Sequence, residues 1–415
     1  MVPRWIREHL QKWLQVMPVV FLQGTRQVGK TTLALQLVEE GLLNAYYSFD
    51  DLTLLQAAQR DPKGFVDTLP EHAVIDEVQR VPQVLLPLKA RIDANRKAGM
   101  FLLTGSAHPL TRAQVADALV GRMAVLTLYP FSQGEIEGVR ETWLARAFEG
   151  RWWISSIPTA DVWSRVLRGG YPEAVRIHDP TERRLWLRAY ADTLITRDVN
   201  LLADIERAAD MASLLQLLAA LSGQLLNVSN LSREMGMPHS TLQRYLKLLE
   251  WLMVIVRVPA WHSHTHQQLL KTPKILMNDT GLAIALLNFD ESRLLNDNLL
   301  RGRMLENFVG MELLKQISYA AEPYRLYHLR TTKGREVDFL LENAQGKLLG
   351  IEVKASAMVN ADDFRHLRAV GEWLGERWAG GIVLYTGTTL SPFGVKLWAM
   401  PISCLWQIES GGKQG

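Results

Sequence analysis

Cysteine is almost missing from this sequence of 415 residues: Cys404 is the single one. That excludes an internal disulfide and a thiolate zinc cluster, and it suits a reducing compartment, so a cytoplasmic protein is expected. Long apolar runs are missing as well. Nowhere do about 18 uninterrupted apolar residues occur, the length a membrane-spanning helix needs. The opening stretch MVPRWIREHLQKWLQVMPVV scatters charges among its apolar residues and has no signal-peptide block, so no membrane partner is expected. Charge of one sign is scarce: 46 Lys and Arg against 43 Asp and Glu leave +3, which permits nucleic acid as a partner without arguing for it. Low-complexity tracts are also absent, and 48% hydrophobic with 21% charged residues is a globular composition.

What is present falls into three regions. In residues 1–150, the apolar runs VVFLQG, YYSFD, HAVIDE, MFLLTGS and AVLTLYP alternate with helix-like stretches such as PQVLLPLKARIDANRKAG, the pattern of an α/β parallel sheet. Residues 151–294 read as helical, through TERRLWLRAYADTLITRDVNLLADI and MASLLQLLAALSG, until WLMVIVRV. In residues 295–415 the long helix RGRMLENFVGMELLKQISYA precedes three strand candidates, YRLYHLR, REVDFLLE and LLGIEVKAS, separated by turn sequences.

The first region carries the sharpest motif. GTRQVGKT sets Gly24 and Gly29 before Lys30 and Thr31, between an apolar strand and a helix. Glycines at this spacing let backbone N–H groups turn inward around phosphates at the positive end of a helix. Lys30 then reaches the β and γ phosphates of ATP, and Thr31 ligates Mg²⁺. In HAVIDEVQ, Asp76 and Glu77 close an apolar strand and face different ways, so Asp76 can hold Mg²⁺ through water while Glu77 polarises the attacking water. This pair argues for an ATPase over a nucleotide kinase. Thr104 or Ser106 in FLLTGS can sense the γ-phosphate, and Arg122 in VGRM or Arg197 in ITRD is the candidate for transition-state charge.

The middle region contains NVSNLSREMGMPHSTLQRYLKLLEWL, which has the shape of a helix-turn-helix with a turn at Gly236. Leu242, Leu246 and Leu249 would face inward, leaving Gln243, Arg244 and Lys247 on a face that can enter a DNA major groove. MVIVRV and KTPKILMND would supply the β-hairpin of a winged helix. Between them His262, His264 and His266 alternate, but with no Cys or carboxylate partner nearby they read as an exposed loop or edge.

In the last region Asp338 interrupts one apolar strand, and Glu352 and Lys354 share one face of the next. Charges inside apolar strands need a reason. Two carboxylates and a lysine on one side of a hairpin can hold Mg²⁺ and activate a water against a phosphodiester. Glu306 on the preceding helix is a candidate further metal contact, with Glu336 as an alternative.

GTRQVGKTT, VIDEVQRVP, LLTGSA, LVGRM, GGYPEAV, TPKILMNDTGLA, RGRMLENFV, EVDFLL and IEVKAS together resemble the prokaryotic AAA-like P-loop ATPases whose C-terminal half is a domain of unknown function containing a PD-(D/E)XK nuclease-like fold. The resemblance implies an ASCE/AAA-like parallel sheet, a helical and winged-helix middle region and a restriction-endonuclease-like α/β domain. It implies ATP at Gly24, Gly29, Lys30, Thr31 and Thr32, hydrolysis at Asp76 and Glu77, and a nuclease-like centre at Glu306, Asp338, Glu352 and Lys354. Val337 stands where the nuclease pattern has proline. The expected function is a Mg²⁺-dependent ATPase coupled to DNA binding and to DNA cleavage, with a homo-oligomer compatible. The alternative is a nucleotide switch with an inactive nuclease-like domain.

Overall fold

A computed structural model of the chain describes residues 2–106, 118–150, 152, 155–156, 161–194, 208–262, 271–331 and 334–407. In it the run VVFLQG forms strand β1, Val19–Gly24, with every residue buried. Four further strands join it: β2 Ala45–Ser48, β3 Ala73–Asp76, β4 Phe101–Ser106 and β5 Met123–Thr127. Their order is β2-β3-β4-β1-β5, and every pairing is parallel. Near-continuous apolar strands are what a sheet covered on both faces requires. Phe21, Ile75, Phe101 and Leu103 pack with Phe49 and with Leu85, Leu88 and Ile92 of the helix Leu85–Ala94. Burying each such side chain contributes about 1.5–3 kcal/mol. Because the strands are parallel, Gly24, Ser48, Asp76 and Ser106 all lie at one edge, where such sheets place their ligands.

The described chain divides into two compact units. One is Arg4–Pro130 with Lys247–Val254; the other holds Met1–Pro3, Phe131–Leu246 and the residues from Ile255 on. The helices Val228–Glu234 and His239–Trp251 flank Gly236, whose φ of 59° is the left-handed turn a glycine makes without strain. The second unit begins its strands with β6, Ser155–Ser156. Strands β7, Ile255–Val258, and β8, Lys274–Met277, pair antiparallel.

The helix Asn298–Ser318 then leads into a seven-stranded mixed sheet. Besides β6 its strands are β9 Arg325–Arg330, β10 Glu336–Glu342, β11 Leu348–Lys354, β12 Trp378–Tyr385, β13 Thr389–Gly394 and β14 Leu397–Pro401, in the order β6-β13-β14-β12-β11-β10-β9. Strands β9, β10 and β11 are antiparallel, whereas β12 returns parallel to β11 after the helix Arg365–Leu374. The sequence pattern places β9 to β11 but not β6, β12, β13 or β14. Two of these are a two-residue strand and TLSPFG, whose Pro and Gly break the strand signal.

This unit buries several charges. Glu312 takes the Gln133 backbone N–H at 2.8 Å and the Lys315 ammonium at 2.8 Å. Glu141 is held by neutral donors instead: its Oε1 accepts from Ser132 Oγ at 2.6 Å and from the Gly134 N–H at 2.9 Å. Burial pushes the Glu141 carboxyl up to about 7. Among the described residues no helix is long and apolar enough to cross a membrane.

Candidate functional site

The loop after β1 is shaped by its two glycines. A Cβ on Gly24 would come within 2.5 Å of the Leu128 carbonyl oxygen, and Gly29 has a φ of 95°, which side chains rarely adopt. Gly29 opens the helix Lys30–Glu39, whose own first turn holds no acidic residue, which leaves its positive end open to an anion. The buried Lys30 ammonium donates to the carbonyl oxygens of Gly24 and Thr25, at 3.1 and 2.9 Å. The lysine is thereby aimed into the loop that phosphates would fill.

Asp76, at the end of β3, is 1% exposed. One carboxylate oxygen accepts from Thr31 Oγ1 at 2.9 Å and from the Tyr46 hydroxyl at 2.6 Å, while Thr104 Oγ1 donates to the other. Burial, and then the hydrogen bond to Asp76, raise the Tyr46 pKa. Glu77 follows in a left-handed conformation, φ 58°, and its carboxylate takes the Gln79 amide. This donor set fits a magnesium nucleotide. Thr31 and Asp76 already touch, and Lys30 lies at the helix start. Tyr46 and Gln79 are contacts that the motif does not reveal, since neither side chain belongs to its spacing. Thr32, next to Thr31, is exposed on the same first turn.

One expectation changes here. Arg122 is not near the loop: its backbone carbonyl accepts from Val19, at the opposite end of β1 from Gly24, about 16 Å away at ~3.3 Å per residue. Its guanidinium is held by both oxygens of Asp93, with Nη2 at 3.0 Å. It cannot act on a phosphate in its own site. Ser106 ends β4 with its backbone opposite Gly24. The Ser106 side chain, Arg197, His264 and His266 lie outside the described residues.

A second group of charges gathers where β10 and β11 pair. The register Phe339 to Ile351 puts Asp338 opposite Glu352 one step further on, and Asp338 Oδ2 accepts the Val353 N–H at 2.9 Å. Glu306 reaches them from the helix Asn298–Ser318. That helix comes in closely because Gly310, one turn on, faces Phe339 and Leu276. Between the carboxylates lies a residue that the sequence motifs do not single out, Lys274 of β8, whose side chain is 1% exposed. Its ammonium pairs with Glu306, donates to the Asp338 carbonyl oxygen at 3.1 Å and lies 3.6 Å from Asp338 Oδ1. A signal was available: Lys274 opens the otherwise apolar strand KILM.

Burial works to lower the Lys274 pKa, but the charges of Glu306 and Asp338 raise it overall. Burial, and next the Asp338 charge, push Glu306 up to about 8 and raise Glu352 strongly. Removing one partner of such a buried pair costs about 3–5 kcal/mol. Lys354 is partly exposed, with its ammonium 3.7 Å from Glu352 Oε2. Glu336 pairs with Arg330 at 3.4 Å instead. Among the described residues no three His, Cys, Asp or Glu side chains stand so that they could hold a metal ion together. The residues expected as a joint metal centre, Glu306, Asp338 and Glu352, are brought to one place, with the ammonium of Lys274 against Glu306 and Asp338.

On the helix His239–Trp251, Leu242, Leu246 and Leu249 are fully buried, and Gln243, Arg244 and Lys247 are exposed.

Residues 17–137 match the family model described as an AAA domain. That stretch is thus similar to AAA domains. Residues 159–293 and 301–405 match two further models, each described as a domain of unknown function (DUF8612 and DUF4143). An uncharacterized protein of Mycobacterium tuberculosis is 29% identical over 349 residues, covering 84% of this chain and 73% of that protein. Another of Haemophilus influenzae is 23% identical over 389 residues, covering 87% of this chain and 90% of its own. Among solved structures, a Walker-type ATPase of Pyrococcus abyssi is 16% identical with a TM-score of 0.41, covering 68% of this chain and 94% of that one. An AMPPCP-bound DnaA from Aquifex aeolicus is 13% identical with a TM-score of 0.28, covering 59% and 85%. Likeness at these scores carries no argument about function.

Proposed function

We propose that this protein is a cytoplasmic Mg²⁺-dependent ATP hydrolase whose nucleotide state governs its hold on DNA. The observation that carries the reading is the hydrogen bond between Thr31 and Asp76 beside the loop Gly24–Lys30. In this reading Lys30 exchanges its two carbonyl partners for the β and γ phosphates, and Thr31 and Thr32 hold the nucleotide at the helix start. Mg²⁺ supplies charge neutralisation on the phosphates, with Thr31 and Asp76 as its protein contacts. Glu77 gives up the Gln79 amide to orient the attacking water. Thr104 bridges Asp76 to β4, so a polar group stands ready to register the γ-phosphate.

The DNA part of the proposal rests on Gln243, Arg244 and Lys247 standing exposed on a helix whose other face is buried leucine. A hairpin, β7 with β8, follows that helix, as in a winged helix. We read the C-terminal sheet as nuclease-like, from its order of helix, three antiparallel strands, helix and a strand returning parallel.

The test is nucleotide binding and phosphate release by purified protein and by Lys30→Ala. The variant is expected to lose both, because the Lys30 ammonium is the charge held at the Gly24 and Thr25 carbonyls inside the loop. Unchanged ATP affinity and turnover would reject the assignment.

A further inference from the structure

We propose that Lys274 is the resident cation of the pocket formed by Glu306, Asp338 and Glu352, and that this pocket therefore takes up no divalent metal and cuts no phosphodiester. Its support is the geometry of the cluster, independent of both the nucleotide site and the DNA-binding face.

A lysine opening a strand whose other residues, Ile275, Leu276 and Met277, are fully buried persists only if its charge is matched. Here it is matched twice over, by Glu306 and by both the carbonyl and the carboxylate of Asp338, and its ammonium lies over the Phe339 ring, 5.2 Å from the centroid. The Lys274 side chain is 1% exposed among the described residues. Its backbone is held on both sides as well. The Leu226 N–H donates to Pro273 at 2.8 Å and the Ile275 N–H to Gln224 at 2.9 Å, while Asn307 accepts from Met277 N–H at 2.7 Å and donates to its carbonyl at 3.0 Å. Withdrawing Lys274 would mean breaking that set.

A divalent ion would need the carboxylate oxygens at about 2.0–2.6 Å, in the space the ammonium fills, and a doubly charged ion beside a lysine that cannot leave is repelled. Asp338 Oδ2 is already committed to the Val353 N–H. One acceptor is left over. Glu352 is 6% exposed, and its Oε1 is buried without a hydrogen-bond partner in the neighbourhood of Asp338, Lys354 and Lys274. That oxygen is what an ion would find if Lys274 were removed. The pocket is thus closed to metal as built, and it opens to metal when the lysine loses its charge.

The test is Mn²⁺ uptake by nucleotide-free full-length protein, followed by electron paramagnetic resonance in a Lys30→Ala background that silences the loop at Gly24–Lys30. The parent should take up no Mn²⁺ at the pocket. Lys274→Gln should gain one equivalent, lost again when Glu352→Gln is added, and Lys274→Arg, which keeps the charge, should stay silent. If Lys274→Gln does not fold, the parent titration decides alone. A parent that binds one Mn²⁺ and loses it on Asp338→Ala overturns the proposal, as does a folded Lys274→Gln protein that gains none.

Discussion

At the end of β3, Asp76 accepts hydroxyls from Thr31, Thr104 and Tyr46. Where β10 and β11 pair, Glu306 and Asp338 meet the ammonium of Lys274 instead. Both are carboxylates brought to a common point of a sheet, and both are largely buried. The difference lies in what must leave when a metal arrives. A hydroxyl can turn its lone pairs to an ion without leaving a charge uncompensated, and it can itself become a ligand. An ammonium has no lone pair and no place to go. On the reading proposed above, the position of one side chain, rather than the number of acidic groups, separates the site assigned to Mg²⁺ from the one assigned to its own lysine.

Next in size to Lys30→Ala, the largest effect should come from breaking the first site at Glu77, which the proposal gives no contact to Mg²⁺. Glu77→Gln is expected to keep ATP, since Thr31, Asp76 and Lys30 are untouched, and to lower phosphate release by about 10²-fold or more, the usual contribution of a positioned base. Loss of ATP binding in this variant would make Glu77 a structural residue held by Gln79.

A smaller effect is expected from the exposed helix face, which lies outside both carboxylate groups. Arg244→Glu with Lys247→Glu should weaken DNA binding and flatten its salt dependence by about two in the log–log slope, one for each phosphate neutralised by a basic side chain. ATP turnover without DNA should be spared. Unchanged affinity and slope would make the helix pair a packing element.

The smallest effect concerns Glu141, a buried carboxyl with hydroxyl and amide donors in place of a lysine. Its folded pKa, about 7, lies above the ordinary glutamate value of 4.5, so the folded state holds this proton more tightly. Its contribution to stability is fully present below about 4.5 and is lost as pH rises through about 7. Glu141→Gln should flatten the fall in melting temperature across that window. An identical pH profile in the variant would show that the carboxyl is solvated.

Much of the first site was legible because its chemistry is written in consecutive residues. The spacing Gly24, Gly29, Lys30, Thr31 and the apolar strand ending in Asp76 and Glu77 place these residues at the edge of the sheet where β1 and β3 end, and the strands formed as the pattern indicated. Arg122 was misread for the same local reason: its distance from the loop depends on which end of β5 it occupies, which no single segment reveals. The second cluster was half legible. Asp338, Glu352 and Lys354 announce themselves as charges in apolar strands, and so in retrospect does Lys274. That it meets them depends on the packing of β8 against the helix Asn298–Ser318, a long-range approach carried by Gly310 and Asn307 rather than by any motif.

The most direct test is to incubate the purified protein with Mn²⁺, ATP and DNA in several forms, following phosphate and DNA fragments separately. The account predicts phosphate release that vanishes in Lys30→Ala, and no fragments with any DNA form. Fragments that appear with wild-type protein and disappear in Asp338→Ala would contradict it.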